Sequence, residues 1–127
     1  LLTLAPGTSA QRTRSLPTYL ESLRKLQAID IGVTVGYAGH RGTISDVDAR
    51  ITEIIDHHHD RKEAFADVLA ATGSMTAYQL LQDRFPDLPA TELFPGMSEV
   101  IGHLDLLEDE DRVEITESDG VRRYEPV

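Results

Sequence analysis

The stretch RVEITESDGVRRYE, residues 112–125, decides how the end of this chain folds. Polar and apolar residues alternate on both sides of Asp119-Gly120. A two-residue Asp-Gly step between alternating runs is a strong signal for a tight β-hairpin. The stretch therefore predicts two antiparallel strands.

Three amphipathic helices are predicted before this hairpin. The first is long, from about Ser45 to about residue 71, with Ser45 and Asp48 resembling a capping box and Gly73-Ser74 ending it. The second covers residues 76–85 and the third about residues 97–108, separated by a proline-containing loop. The second is expected to bury Tyr78, Leu80, Leu81 and Phe85. Three helices followed by a hairpin is the order of a winged helix.

Another helix is predicted earlier in the chain. Apolar residues recur at helical spacing over residues 15–28, with Ser15 as the candidate N-cap. A short strand at residues 31–35 and a glycine-rich loop at residues 36–42, around His40, follow it. The fold class is thus mainly α with a small β-hairpin: a winged helix preceded by a helix and a strand. Residues 1–14 are expected to be loop or edge strand.

Composition limits the possible functions. With 127 residues the chain is one domain, or a small domain plus a piece of another. The first residue is Leu1 and not a start methionine, which is compatible with truncation, proteolysis or a removed leader. No apolar run is long enough to cross a bilayer, so we expect a soluble, cytoplasmic protein. The absence of cysteine excludes disulfides, thiolate zinc sites and cysteine nucleophiles.

The charge is strongly acidic. The formal net charge is −10, and ten arginines stand against two lysines, Lys25 and Lys62. An acidic surface poor in lysine suits a protein that stays soluble at high salt. A salt-loving source is one explanation; an acidic mesophilic protein from an arginine-rich proteome is the other.

Four short motifs carry a family resemblance. They are YLESLRKL at residues 19–26, GHRGTI at 39–44, HHHDR at 57–61 and HLDLL at 103–107. The first two resemble the end of a metallo-β-lactamase-fold hydrolase domain, and the others resemble the winged-helix extension of one branch of that superfamily. The branch includes proteins similar to hydroxyacylglutathione hydrolases and a group of endoribonucleases. The resemblance implies hydrolysis without specifying the scissile bond.

The same resemblance implies a zinc ligand at His40. The family's His-x-His-x-Asp-His run, which supplies most of the ligands, does not occur in this sequence. A catalytic zinc needs about three protein ligands. We therefore expect His40 to bind zinc only in an intact parent protein, and the chain alone to have no zinc and no catalytic residue. Arg41 stands where the family usually has glycine.

The histidine run at residues 57–59 is better explained structurally. Consecutive helical residues point about 100° apart, so three of them cannot converge on one ion. His58 is predicted to be a core residue with one hydrogen bond, and His57 and His59 to pair with Arg61 and Glu63. A site formed by Asp56, His59 and Glu63 is the minor alternative.

Charge argues against DNA as a partner. Residues 97–111, which include the candidate recognition helix, contain six acidic residues and no Lys or Arg, whereas nucleic-acid affinity comes largely from basic groups.

The leading interpretation is a remnant of the hydrolase domain (residues 1–44) and a complete winged helix (residues 45–127), which packs on the catalytic domain or a partner subunit of a homo-oligomer. The rival is a free-standing winged-helix interaction or regulatory module, with residues 1–44 as its dimerisation arm.

Overall fold

The protein is described by a computed structural model that covers residues 14–29 and 46–127, together with the backbone of residues 36–37 and 43–44. The helices are α1 (Ser15–Ala28), α2 (Val47–Thr72), α3 (Ala77–Arg84) and α4 (Leu93–Asp109), with a short 3-10 helix at Ala90–Glu92. The strands are β1 (Gly36–Tyr37), β2 (Thr43–Ile44), β3 (Met75–Thr76), β4 (Val113–Ser118) and β5 (Val121–Pro126). The described part is mostly helical with a small three-stranded sheet.

The predicted hairpin is confirmed. Strands β4 and β5 pair antiparallel, with Ser118 opposite Val121 at the turn. Asp119 and Gly120 both have positive φ, 53° and 76°, as a type I′ turn requires at its two central positions. Strand β3 was not predicted, because two residues are too few to show alternation. It adds to the free edge of β5 and completes the order β3-β5-β4.

The main core lies between α2, α3, α4 and the sheet. Its central side chains are less than 2% exposed: Phe65, Leu69, Leu80, Leu81, Val100, Leu104 and Leu107. Burying an aliphatic or aromatic side chain of this size contributes about 1.5–3 kcal/mol. These three helices and the hairpin therefore form one packed unit.

Helix α1 packs on this unit through a second cluster. Leu16, Leu20 and Leu23 are buried together with Ile51 of α2. The approach of α1 to α4 is close, since a Cβ placed at Gly102 would lie 3.1 Å from the Cβ of Leu16. The predicted helix over residues 15–28 is confirmed. The proposed domain boundary at residue 44 stays a prediction.

The helix starts differ from the predicted caps. Residue 45 lies outside the described residues, and α2 is capped by Asp46, whose side chain accepts a hydrogen bond of 3.0 Å from the backbone N–H of Ala49. Arg14, not Ser15, occupies the N-cap position of α1, and no side chain caps it. Thr76 caps α3 in a reciprocal capping box with Gln79.

Two further predictions were wrong. Helix α4 begins at Leu93, not near residue 97, because Pro95 falls in its first turn, where a missing N–H costs no intrahelical hydrogen bond. Tyr78 is 49% exposed, because the buried face of α3 follows Ala77, Leu80 and Leu81. The predicted strand at residues 31–35 lies outside the described residues.

Candidate functional site

The predicted zinc ligand, His40, lies outside the described residues, as does its neighbour Arg41. On either side of this segment, β1 and β2 pair antiparallel, with Gly36 opposite Ile44. Within residues 14–29 and 46–127 no group of three or more His, Asp or Glu side chains is placed to hold a metal ion. The minor alternative of a site formed by Asp56, His59 and Glu63 is therefore not supported.

A pair of histidines joins α2 to α4. Nδ1 of His58 lies 3.1 Å from Nε2 of His103, and the two ring centroids are 5.1 Å apart. His103 is 1% exposed, and its Nδ1 lies 2.7 Å from the carbonyl oxygen of Glu99. Tyr19 of α1 packs edge-on against the His58 ring at 6.4 Å. The pair thus lies where α1, α2 and α4 meet.

The hydrogen bonds determine the tautomer of each ring. A carbonyl oxygen can only accept, so Nδ1 of His103 carries a hydrogen and donates to Glu99. In the neutral ring Nε2 of His103 is then an acceptor. Nδ1 of His58 must therefore donate to it. In the neutral pair both rings therefore carry their hydrogen on Nδ1, and Nε2 of His58 keeps a lone pair.

The surroundings favour this neutral state. Burial, together with the neighbouring His103 and His57, lowers the pKa of His58 to about 4. Burial also lowers the pKa of His103, against an opposing effect of its hydrogen bond to Glu99. The predicted hydrogen bond of His58 is present, but the prediction that His58 is a core residue was wrong, because the residue is only partly buried at the junction of the helices.

Ion pairs next to the histidines also link different elements. Arg61 of α2 binds the carboxylate of Glu99 on α4. Glu63 accepts two hydrogen bonds from Arg112, which precedes β4. The residues expected to pair with His57 and His59 thus bind partners outside α2.

A cleft of about 490 Å³ opens between α1, α2 and α4. Its polar lining residues are Glu21, Arg24, His59, Lys62, Asp109 and Glu110. Lys62 is nearly buried, and its Nζ lies 2.7 Å from Oε2 of Glu110. With cations and anions interleaved, this cleft does not favour a ligand of one charge sign.

Arg14, just before α1, binds residues at the end of α4. Its guanidinium donates to Oδ1 of Asp109 at 2.8 Å and to the backbone oxygen of Asp105 at 3.0 Å. A cation near a helix C-terminus also interacts favourably with the helix dipole. The roles of Arg14, Asp105 and His103 could not be predicted from the sequence, because the contacts that join them to other helices span 45 or more positions.

Known proteins resemble this chain in both sequence and structure. It is 38% identical over 109 residues to the probable metallo-hydrolase YqjP of Bacillus subtilis (strain 168), a match that covers 86% of this chain and 33% of that protein. A crystal structure of a metallo-β-lactamase family protein from Thermus thermophilus superposes with a TM-score of 0.70 and 31% identity. That superposition covers 97% of this chain and 39% of the other. These matches support the metallo-β-lactamase fold family.

A second crystal structure agrees on the fold. A β-lactamase domain protein from Burkholderia ambifaria superposes with a TM-score of 0.73 at 24% identity, over 91% of this chain and 34% of the other. No protein-family profile matches the chain. The chain spans about a third of the length of the curated relative that it matches. Among the described residues, no helix combines the length and the apolar character needed to span a membrane.

Proposed function

We propose that this chain is the C-terminal region of a zinc-dependent metallo-β-lactamase-fold hydrolase. The observation that carries the proposal is the match of 86% of the chain to only 33% of a probable metallo-hydrolase. A hydrolase needs residues beyond those matched here. The catalytic activity therefore belongs to a longer protein, and these 127 residues alone do not hydrolyse substrate.

The metal of this hydrolase is assigned to a site of which His40 forms one part. A neutral imidazole is a common zinc ligand, and a catalytic site takes about three protein ligands. The described residues offer no such set. The family's His-x-His-x-Asp-His run does not occur in this sequence, so the other ligands are assigned to residues outside this chain.

Residues 45–127 are assigned as a winged helix. The order α2, β3, α3, α4, β4, β5 and the pairing of the short β3 with the hairpin support this assignment. The motifs at residues 57–61 and 103–107 suggest the branch that includes hydroxyacylglutathione hydrolase-like proteins and endoribonucleases.

This winged helix is proposed to pack on the catalytic domain or a partner subunit and not on DNA. Two observations favour this role. Residues 97–111, most of them in α4, include no Lys or Arg, and α1 packs on α4 through Leu16 and its neighbours. A DNA duplex could thus reach α4 only if α1 moved away. Its phosphates would then have to approach acidic side chains, which repel them.

Metal analysis of the full gene product that contains these residues tests the proposal. We expect bound zinc in the purified protein and a large loss of zinc in His40→Ala. His59→Ala, a change at an exposed histidine of α2, is the control and should keep the metal. Equal zinc contents in both variants, or zinc-dependent hydrolysis by the 127 residues alone, would contradict the proposal.

One observation favours the rival, a free-standing interaction module. Most of the apolar face of α1 is covered by α2 and α4, with Leu16 and Leu20 each 3% exposed, whereas Leu26 near its end is 54% exposed. That packing is what the rival predicts for residues 14–29. The two proposals differ in the size of the native gene product and in its metal content.

A further inference from the structure

The histidine pair between α2 and α4 can take up protons, and the proposed hydrolase role does not use this property. The two rings have four nitrogens, and the contacts fix the state of three of them: two donate a hydrogen and one accepts. Nδ1 of His103 donates to Glu99, and Nδ1 of His58 donates to Nε2 of His103. Only Nε2 of His58 is left to receive an added proton while both hydrogen bonds remain.

We propose that the His58–His103 pair is an acid-sensitive contact that holds α2 against α4 at neutral pH and loosens when the pair gains protons. The contact lies in the described part of the chain and does not depend on zinc or on the proposed hydrolase activity. Because Tyr19 packs against the His58 ring, the loosening extends to α1.

The first added proton creates an imidazolium in a place that disfavours positive charge. Among the described residues, the titratable and charged side chains around the pair are Tyr19 on α1, His57 and Arg61 on α2, and Glu99 on α4. The carboxylate of Glu99 could balance the new charge, but Arg61 already binds it. The positive charge is therefore poorly compensated in the closed structure.

The second added proton removes the hydrogen bond itself. With both rings doubly protonated, the nitrogens that now lie 3.1 Å apart would each carry a hydrogen. Neither could accept, and two cations would face each other. The rings can relieve this only by moving apart, which opens the α2–α4 contact next to Phe65, whose ring centroid lies 5.6 Å from that of His103.

Linkage gives the direction of the effect. The pKa of His58 is about 4 in the folded chain, below its ordinary value of 6.5. The opened state therefore binds more protons between these pH values, and the contact weakens as pH falls from about 6.5 towards 4. Because His58 is only partly buried, we expect a roughly ten-fold rise in the opening constant of α4 between pH 7 and pH 4.5, less than the full shift would give.

Two measurements on the full gene product test the proposal. The first is ¹⁵N NMR of the histidine rings, which reports the tautomers directly. At pH 7.5 we expect both His58 and His103 to be neutral and protonated at Nδ1. A hydrogen on Nε2 of His103 at this pH would overturn the proposal, and this test needs no variant that changes the pair.

The second measurement is amide hydrogen exchange of residues 93–109 between pH 7 and pH 4.5, corrected for the intrinsic pH dependence of exchange. The double variant His58→Gln/His103→Gln replaces both titrating rings with amides that can still donate and accept. It should lose most of the ten-fold effect. The control, His59→Gln, changes an exposed histidine of the same helix and should behave like the unmodified protein. An equal acid response in all three proteins would overturn the proposal.

Discussion

Arg112 donates two hydrogen bonds to the carboxylate of Glu63, 2.6 Å from Nη1 to Oε1 and 2.8 Å from Nη2 to Oε2. This bidentate pair connects the residue before β4 to the middle of α2. Glu110 lies between two cations, because it contacts Lys62 at 2.7 Å and Arg112 at 3.4 Å. The hairpin is therefore attached to α2 by a charged network as well as by the core.

Replacing Arg112 tests the geometry of this network. A lysine keeps the charge but cannot bind both carboxylate oxygens in a fixed fork. Because the two side chains are 38% and 37% exposed, we expect Arg112→Lys to lower the free energy of unfolding by only about 0.5–1 kcal/mol. Urea denaturation followed by circular dichroism measures this. Arg122→Lys, at a looser pair with Glu117 of 3.6 Å, is the control and should change stability less.

Acid titration should reveal the same pair. The hydrogen bond from Arg112 lowers the pKa of Glu63 to about 2 from its ordinary 4.5. A lowered carboxyl pKa contributes stability above pH 4.5, which is lost as pH falls towards 2. Glu63→Gln should therefore show a shallower loss of stability between pH 4.5 and pH 2, measured as the urea midpoint against pH. Parallel curves for the two proteins would exclude this role of Glu63.

The docking of α1 can be tested by two leucine substitutions on the same helix. Leu20 is 3% exposed and Leu26 is 54% exposed. Leu20→Ala should cost about 2–3 kcal/mol, since it leaves a cavity against α2 and α4, whereas Leu26→Ala should stay within about 0.5 kcal/mol. Denaturant unfolding of both variants provides the comparison. Equal small effects would mean that α1 is not packed as described.

At Gly120 of the hairpin turn, the backbone conformation requires glycine and the surrounding space does not. Its φ is 76°, and a Cβ added there would meet no atom within 4 Å. Gly120→Ala should therefore cost about 1 kcal/mol through the left-handed backbone conformation, without any steric clash. Asp119→Gly, at the other positive-φ position, should lie within about 0.5 kcal/mol of the unmodified protein. Thermal unfolding of the two variants decides between a backbone and a side-chain role.

The parts of the fold that local sequence determines could be predicted. Alternation around Asp119-Gly120 predicted β4 and β5, and the leucine spacing predicted α1. The start of α4 could not be predicted, because a proline inside the first turn of a helix gives the same local signal as a proline in a loop. Strand β3 exists only through its pairing with β5, which two residues do not reveal.

The contacts between helices could not be predicted from the sequence either. His58 and His103 are 45 positions apart, and helical periodicity gives the buried face of each helix but not its partner. The burial of polar residues on α4, including Ser98 and Asp105 at 1% exposure, follows from packing against several elements at once. Family resemblance predicted His40 as a ligand, and that assignment stays a prediction.

The most direct test of the central claim is the intact mass of the native gene product, captured from its source cells with an antibody against residues 113–126. Since the 109 matched residues are 33% of the curated relative, we predict a species about two and a half times as large as the 14.1 kDa of these 127 residues. A native species of 14.1 kDa would contradict the account and would favour a free-standing module.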